Sequence, residues 1–391
     1  MAGVISRGIQ GPIIREGDDI VDIVVKSVYA SEQADGYTLQ NRDVIAVTES
    51  VVARAQGNYV TVDQVAQDIR AKFPTKKLGL VFPILSRNRF SMCLKAIARA
   101  MDEVVVLFSY PNDEVGNPLM VRSAYLKNRY SGVYDFEEAD FVKTFGSPVH
   151  PFTGVNYLDF YREVIESEGA KATFLFSNDC RYIASYCDSI LCCDIHTRNE
   201  TRDVLQSMGK QVLTLADIMN APVDGSGYHE AYGMLGSNKA NEEKLKLFPR
   251  NCQPVVEGIQ ARIKAERGLD VEVMVYGDGA FKDPVGGIWE LADPVVSPAY
   301  TAGLAGKPNE LKLKFLADND FADLSGEALQ EAIRQEIRAK REDLVGDMSS
   351  EGTTPRQYTD LLGSLCDLTS GSGDKGTPFI VIQNYFNNYA G

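Results

Sequence analysis

Apolar positions along the chain change their spacing several times. Between residues 20 and 28 they fall at Ile20, Ile23, Val24 and Val28, the three-and-four spacing of a buried helix face, behind Gly17-Asp18-Asp19, which reads as a helix start with acids in its first turn. Residues 43–48 (DVIAVT) read as a strand, and Glu49-Ser50-Val51-Val52-Ala53-Arg54 begins the turn or helix that Gly57-Asn58 ends. From about residue 60 to 220 helical and strand patterns alternate. Helices are expected at 62–72, 88–101, 136–144, 156–168 and 198–208, and strands at 78–84, 103–109, 172–177, 190–195 and 211–215. Such alternation predicts a βαβ-type unit. Residues 220–238 form a polar, aperiodic loop with four glycines, the kind that carries function inside compact domains. A helix at 251–267 leads into Val271, Val273 and Val275, whose alternation marks a buried strand. A strand at 310–316, an amphipathic helix at about 326–344, a linker over 346–354, a helix at 355–368 and a strand at 379–382 complete the pattern.

Composition narrows the classes. At 391 residues the chain exceeds one ordinary core, so two or three domains are expected. A hydrophobic share of 44% and a charged share of 24% are those of a soluble globular protein. The net charge of −14 argues against a nucleic-acid backbone or an anionic membrane as the main partner. It leaves nucleotides open, because acidic proteins hold them with local amides, a few cations and a metal. The seven cysteines form no CxxC pair and no regular framework, which fits a reducing cytoplasm. MAGVISRGIQ does not read as a signal peptide, and no run approaches the ~18 apolar residues of a membrane helix. Three scattered histidines disfavour a histidine-rich zinc site.

Candidate chemistry sits in the loops. The strand through Val275 breaks into Gly277-Asp278-Gly279, then Lys282, Asp283-Pro284 and Gly286-Gly287. An acidic, glycine-rich loop at a strand end puts a carboxylate at the rim of a sheet, where backbone can approach a ligand closely. Asp278 is therefore a candidate metal or phosphate-side carboxylate, although turn chemistry alone also selects Asp and Gly. Comparable glycine- or serine-rich loops lie at 8–17, 224–238 and 369–376. Several backbone-rich loops converging on one place can bind phosphates without a basic surface. Arg87 and Arg89 stand where a strand gives way to a helix, either an anion site or ordinary surface arginines. No loop matches GxxxxGK[ST], no GxGxxG follows an N-terminal strand, and GxSxG is absent.

In order, GPIIREGDDI, DVIAVTESVVARAQG, YGMLGSN…LKLFP, VEVMVYGDGAFKDPVGG and SGSGDKGTPFIVI resemble the coenzyme F-420:γ-glutamyl ligase family. The resemblance covers roughly 1–60 and 220–391, and the stretch 61–219 looks like an insertion. It implies an α/β (α+β) fold: a discontinuous γ-glutamyl-ligase-like nucleotide-binding domain with an inserted α/β region. It implies an enzyme that joins L-glutamate to a carboxylate acceptor through an amide bond, driven by GTP or ATP with Mg²⁺ or Mn²⁺. The acceptor would be F-420-like or folate-like, activated as an acyl phosphate, and the protein a homodimer. A catalytically inactive nucleotide-binding or scaffold protein of the same fold is the alternative.

Residue by residue, the resemblance carries the family's first nucleotide-binding turn onto Gly11, Pro12, Ile13 and Ile14. Its second falls on Glu49, Ser50 and Arg54, with arginine in place of lysine and one hydroxyl lost. The nucleotide-contacting asparagine matches Asn238, after Ser237, and the strand-end metal aspartate matches Asp278. Backbone of Gly11–Ile14 and of Gly371, Ser372, Gly373 and Asp374 would hold phosphates. Lys282 would neutralise phosphate or acyl-phosphate charge, unless it is a solvated surface lysine. Two departures stand out. The family's other metal aspartate falls on Leu235, and its acidic residue in the C-terminal glycine loop falls near Gly371 or Ser372. Asp224 and Asp374, in the same loops, are the candidate replacements.

Overall fold

The computed structural model describes residues 3–128, 132–277, 280–282, 289–291, 294–350, 357–371 and 373–391, with backbone alone for 280–282 and 289–291. In chain order the N-terminal part is β1 (Ile5–Ile9), α1 (Ile20–Asp35), β2 (Val44–Thr48) and α2 (Glu49–Ala55). The middle runs β3 (Tyr59–Thr61), α3 (Val62–Lys72), β4 (Lys77–Val81), α4 (Phe90–Ala100), β5 (Glu103–Phe108), α5 (Arg122–Asn128), β6 (Phe136–Glu137), α6 (Glu138–Phe145), α7 (Tyr157–Ser167) and β7 (Lys171–Phe176). It continues with β8 (Ser189–Cys192), α8 (Arg198–Ser207), β9 (Gln211–Thr214) and the hairpin β10 (Asn238–Asn241) and β11 (Lys244–Lys246). Then come α9 (Gln253–Arg267), β12 (Glu272–Tyr276), the pair β13 (Ala280–Lys282) and β14 (Trp289–Leu291), and β15 (Ala299–Tyr300). The chain finishes with α10 (Leu313–Phe315), α11 (Gly326–Ala339), α12 (Tyr358–Thr369) and β16 (Phe379–Gln383).

Two sheets organise the α/β fold. One has five strands in the order β1-β16-β2-β12-β15, with β2 and β12 parallel and β16 antiparallel to both β1 and β2. Side chains alternate across a strand, so Ile45, Val47, Val273, Val275, Phe379 and Val381 face one side, packed against α1 and α9. Val44, Ala46, Met274, Tyr276, Ile380 and Ile382 face the other, under α12. Helix α1 starts where Asp19 caps the backbone N–H of Asp22, and it ends where Gly36 takes the left-handed conformation that glycine adopts without strain.

The second sheet builds the inserted subdomain, in the order β6-β7-β5-β4-β8-β9, parallel throughout except for the short edge strand β6. Parallel strands covered on both faces read as continuous apolar runs, as in Val104-Val105-Val106-Leu107. Helix α3 opens with a capping box in which Thr61 and Gln64 satisfy each other's backbone N–H groups. The subdomain's core extends into residues 215–247, taking in Ile218, Met219, Met234, Leu235, Leu245 and Leu247. Buried Asn58 stitches this stretch to the end of α2: its Nδ2 donates to the carbonyls of Tyr228 (3.1 Å) and Phe248 (2.8 Å), and its Oδ1 accepts from Tyr228 N–H (3.0 Å).

The alternation of 60–220 is present with shifts of a few residues, but residues 310–316 are not the expected strand. Leu311 makes one bridge to Ser350, and Leu313–Phe315 and Leu316–Asp320 are helical. The alternating LKLKF misleads because Leu316 is buried against Ile333 and Ile337 of α11, a helix-on-helix contact that needs a different period. Residues 136–144 begin as edge strand and become helix at Glu138. No helix among the described residues is long and apolar enough to cross a membrane.

At the carboxyl edge of the six-stranded sheet the Glu114 carboxylate accepts the backbone N–H groups of Ile195 and His196. Burial pushes its pKa up to about 7, against the lowering effect of the Ile195 N–H. A carboxyl whose folded pKa lies above its unfolded value binds more protons when folded. Its contribution is therefore greatest at acid pH and falls as pH rises through the folded pKa. Relative to Glu114→Gln, the parent should lose stability between about pH 4.5 and 7 and then level off. Urea unfolding of both proteins at a series of pH values measures this, and parallel pH profiles would show that Glu114 carries no raised pKa.

Candidate functional site

The carboxyl ends of β1, β2 and β12 and the start of β16 share one edge of the five-stranded sheet. In open α/β sheets that edge is where loops gather and ligands bind. A cavity of about 320 Å³ opens there, lined by Gly11–Ile14, Thr48, Ser50, Val51, Arg54, Tyr276, Ser370, Gly371, Gly373 and Gly376–Pro378. Its volume is in the range of small-molecule sites.

Backbone brings the loops together. Gly11 N–H donates to the Gly376 carbonyl at 3.1 Å, Thr48 N–H to the Pro378 carbonyl at 3.1 Å, and Thr377 N–H to the Gly371 carbonyl at 3.0 Å. A methyl group at position 11 would stand 2.7 Å from the Phe379 ring, so only glycine lets the two loops approach this closely. Below them, Gly17 N–H donates to the Ala55 carbonyl at 2.9 Å and wraps the first loop around α2.

Arg54 is the cation among the described residues of this wall. It lies in the last turn of α2, half-buried, with Nε donating to the Ile14 carbonyl at 3.1 Å. Among the described residues no carboxylate lies within ion-pair distance of its guanidinium, which leaves its outer nitrogens for an anion. Two further polar atoms on the wall lack partners among the described residues: the buried hydroxyl of Tyr276 and the Oγ1 of Thr377. Burial pushes the Tyr276 phenol well above its ordinary pKa, with the neighbouring Ser370 hydroxyl pulling the other way, so it is present as a hydrogen-bond donor. Ile13 stands 79% exposed at the rim, an apolar contact for the flat or aliphatic part of a ligand.

Of the residues singled out in the sequence, Gly11, Pro12, Ile13, Ile14, Ser50, Arg54, Gly371 and Gly373 share this wall, and Asp374 occupies the exposed turn between Gly373 and Gly376. Others lie elsewhere. Glu49 is 5% exposed and pairs through both oxygens with buried Lys246 of β11, at 2.7 and 2.6 Å. Ser237 is buried with its Oγ 3.5 Å from Cys93 Sγ, and Asn238 begins β10. Asp224 is exposed in a turn whose carbonyl accepts from Gln64 at the start of α3, away from the cavity wall. Asp278 and Ser372 lie outside the described residues, as does the side chain of Lys282 in β13. Thr48, Tyr276, Ser370 and Thr377 were not anticipated. The available signal for Tyr276 is its place two residues before Asp278, on the strand face opposite Val273 and Val275.

Arg54 gives this largely apolar wall a positive charge, which suits a phosphate oxygen. Among the described residues no group of three His, Cys, Asp or Glu side chains stands together to hold a metal ion. The sequence matches the family model described as F420-0:Gamma-glutamyl ligase over residues 8–384, a span that includes the inserted subdomain. No curated protein matches the chain.

Removing one member of a buried ion pair strands the other charge, at a cost of about 3–5 kcal/mol. Glu49→Gln should therefore unfold at markedly lower urea, and adding Lys246→Met should restore most of the loss. A Glu49→Gln protein as stable as the parent but unable to bind nucleotide would assign Glu49 to the ligand instead.

Proposed function

Because the chain belongs to the F420-0:γ-glutamyl ligase family, we propose that it joins L-glutamate to a small carboxylate acceptor through an amide bond, driven by GTP or ATP. The observation that carries this reading is the convergence of Arg54 and two backbone-rich loops on one cavity. A carboxylate does not react with an amine unaided. The simplest activation lets a carboxylate oxygen attack the γ-phosphorus, breaking its bond to the β-phosphate and giving an acyl phosphate. The glutamate amine then attacks the acyl carbon, and inorganic phosphate leaves as the amide forms.

Such chemistry asks a protein chiefly for positioning and charge neutralisation. Arg54 and the backbone N–H groups of Ile13, Ile14 and the 371–374 loop hold phosphate oxygens. Tyr276 and Thr377 donate hydroxyls from the wall, and Ile13 covers an apolar part of the ligand. Asn238 and Lys282 complete the set assigned to the nucleotide and to the charge of the transferred phosphate. The divalent cation, Mg²⁺ or Mn²⁺, is assigned to Asp278, where it would neutralise phosphate charge. The acceptor is an F-420-like deazaflavin or a folate-like carboxylate.

One observation favours a second reading, an inactive nucleotide-binding or scaffold protein: apolar Leu235, 1% exposed, stands where the resemblance places a metal aspartate. Calorimetry with GTP and with ATP, each in Mg²⁺ and in Mn²⁺, separates the ligase from a scaffold, and mass spectrometry of glutamate addition to the acceptors separates it from an inactive nucleotide-binding protein. The ligase reading expects cation-dependent binding that Arg54→Ala weakens by about 1.5–3 kcal/mol, the size of a charge-assisted hydrogen bond. No nucleotide binding under any of the four conditions would favour the scaffold. Asp278→Asn keeps the turn-forming shape and removes the charge that a hard cation needs. Its melting temperature in EDTA should match the parent's, whereas most of the stabilisation by nucleotide and cation together should vanish. Undiminished stabilisation would make Asp278 a turn residue.

A further inference from the structure

The inserted subdomain has a ligand edge of its own. From β4 the chain moves outward through β5 to β7, then returns to the opposite flank of β4 for β8 and β9. Strand order thus reverses between β4 and β8, where parallel α/β sheets leave a crevice at the carboxyl ends. That crevice is almost filled. Ile84 after β4, Cys193 and Ile195 after β8, and Met234 and Leu235 from the glycine-rich loop leave a space of about 20 Å³, room for little more than one water.

Beside the plug, on the same edge, lies a cavity of about 520 Å³. Its walls come from the loop between β4 and α4, the turn after β5, and the entry to α7. Arg87, Asn88, Thr153 and Tyr157 line it over a floor that includes Leu85 and Val115. Among the described residues none on its wall is acidic, in a chain whose net charge is −14. Arg87 is exposed and, among the described residues, has no carboxylate within ion-pair distance, and its charge lowers the pKa of neighbouring His150, after the larger effect of burial. Asn88 Oδ1 is taken by the Ser86 hydroxyl at 2.9 Å, which leaves its amide nitrogen as donor.

The wall is held in place from behind. Tyr161 donates to the Ile84 carbonyl at 2.7 Å and accepts from Ser86 N–H at 3.0 Å. Buried Asp113 accepts from Leu85 N–H at 2.8 Å and from Asn117 N–H at 2.7 Å. A fixed cavity with a free guanidinium, amide and hydroxyl donors, and an apolar floor needs little reorganisation to take a ligand.

We propose that this cavity is a second small-molecule site, for a phosphate monoester with an apolar body, its phosphate on Arg87 and its body on the Leu85–Val115 floor. The site also touches the rest of the molecule. The Asn88 carbonyl accepts the Lys239 N–H at 2.7 Å, next to Asn238. The proposal rests on the inserted subdomain alone and stands whether or not the nucleotide assignment above holds.

Calorimetry on the full chain with phenyl phosphate, inorganic phosphate and benzoate, at matched ionic strength, tests it. Phenyl phosphate should bind more tightly than inorganic phosphate, and benzoate should bind weakest. Arg87→Ala should weaken phenyl phosphate about tenfold or more with an unchanged melting temperature, Arg87→Lys should recover part of the loss, and Arg54→Ala should leave this binding intact. If Arg54→Ala abolishes phenyl phosphate binding and Arg87→Ala does not, all phosphate affinity belongs to the other cavity and the proposal fails. Benzoate binding as tightly as phenyl phosphate would overturn the choice of phosphate.

Discussion

Glu49 and Lys246 form a buried ion pair on which the geometry of the cavity depends. Taking both charges out of water costs several kcal/mol per ion, which only close, two-pronged pairing offsets. The pair therefore fixes positions strictly. Glu49 is the first residue of α2, immediately after β2, and a carboxylate there also gains from the positive end of the helix. Ser50 and Arg54 follow on the same short helix, so their placement is set by where Glu49 is anchored. Lys246 sits on β11, which pairs with β3 at the entrance to the inserted subdomain. One contact thus joins the helix that lines the cavity to the element that leads into the second sheet.

Much of this was legible in the sequence where one physical rule acts alone. Alternating periods located most helices and strands of the middle region, because burial on parallel sheets and helix faces dictates them. The glycine loops were legible because Gly11 and Gly376 answer backbone demands that no neighbouring side chain can meet. What escaped depends on partners distant in sequence. The LKLKF segment alternates like a strand, yet Leu316 is claimed by α11. Glu49 reads as a site residue, and nothing in its neighbourhood announces the ion pair with Lys246, nearly two hundred positions later. Tyr276 and Thr377 carry no motif. Their significance lies in hydroxyls left without partners on a shared wall.

Leu235 has a packing role that its loop does not announce. A leucine at a position expected to be acidic looks like a lost ligand when the glycine-rich loop is considered alone. In the fold it is a core residue of the other sheet, filling the crevice at the strand reversal together with Met234. The same loop approaches the five-stranded half, where an added methyl on Gly236 would stand 2.8 Å from the Phe248 ring. A carboxylate at 235 would be buried beside Ile84, Cys193, Ile195 and Met234, where losing its hydration is costly.

The contact between Gly11 and Phe379 bears on how such a cavity diversifies over time. A wall made of main chain presents the same amides whatever the neighbouring codons say, and at position 11 any side chain is excluded by the ring behind it. Drift there is closed off. Ile13, on the same loop but facing outward, is bounded by solvent and accepts almost any replacement without disturbing the backbone that carries it. Inheritance is thus divided over three residues: the inner wall of the cavity is locked into chain geometry, and the character of its rim is left to one freely mutable side chain.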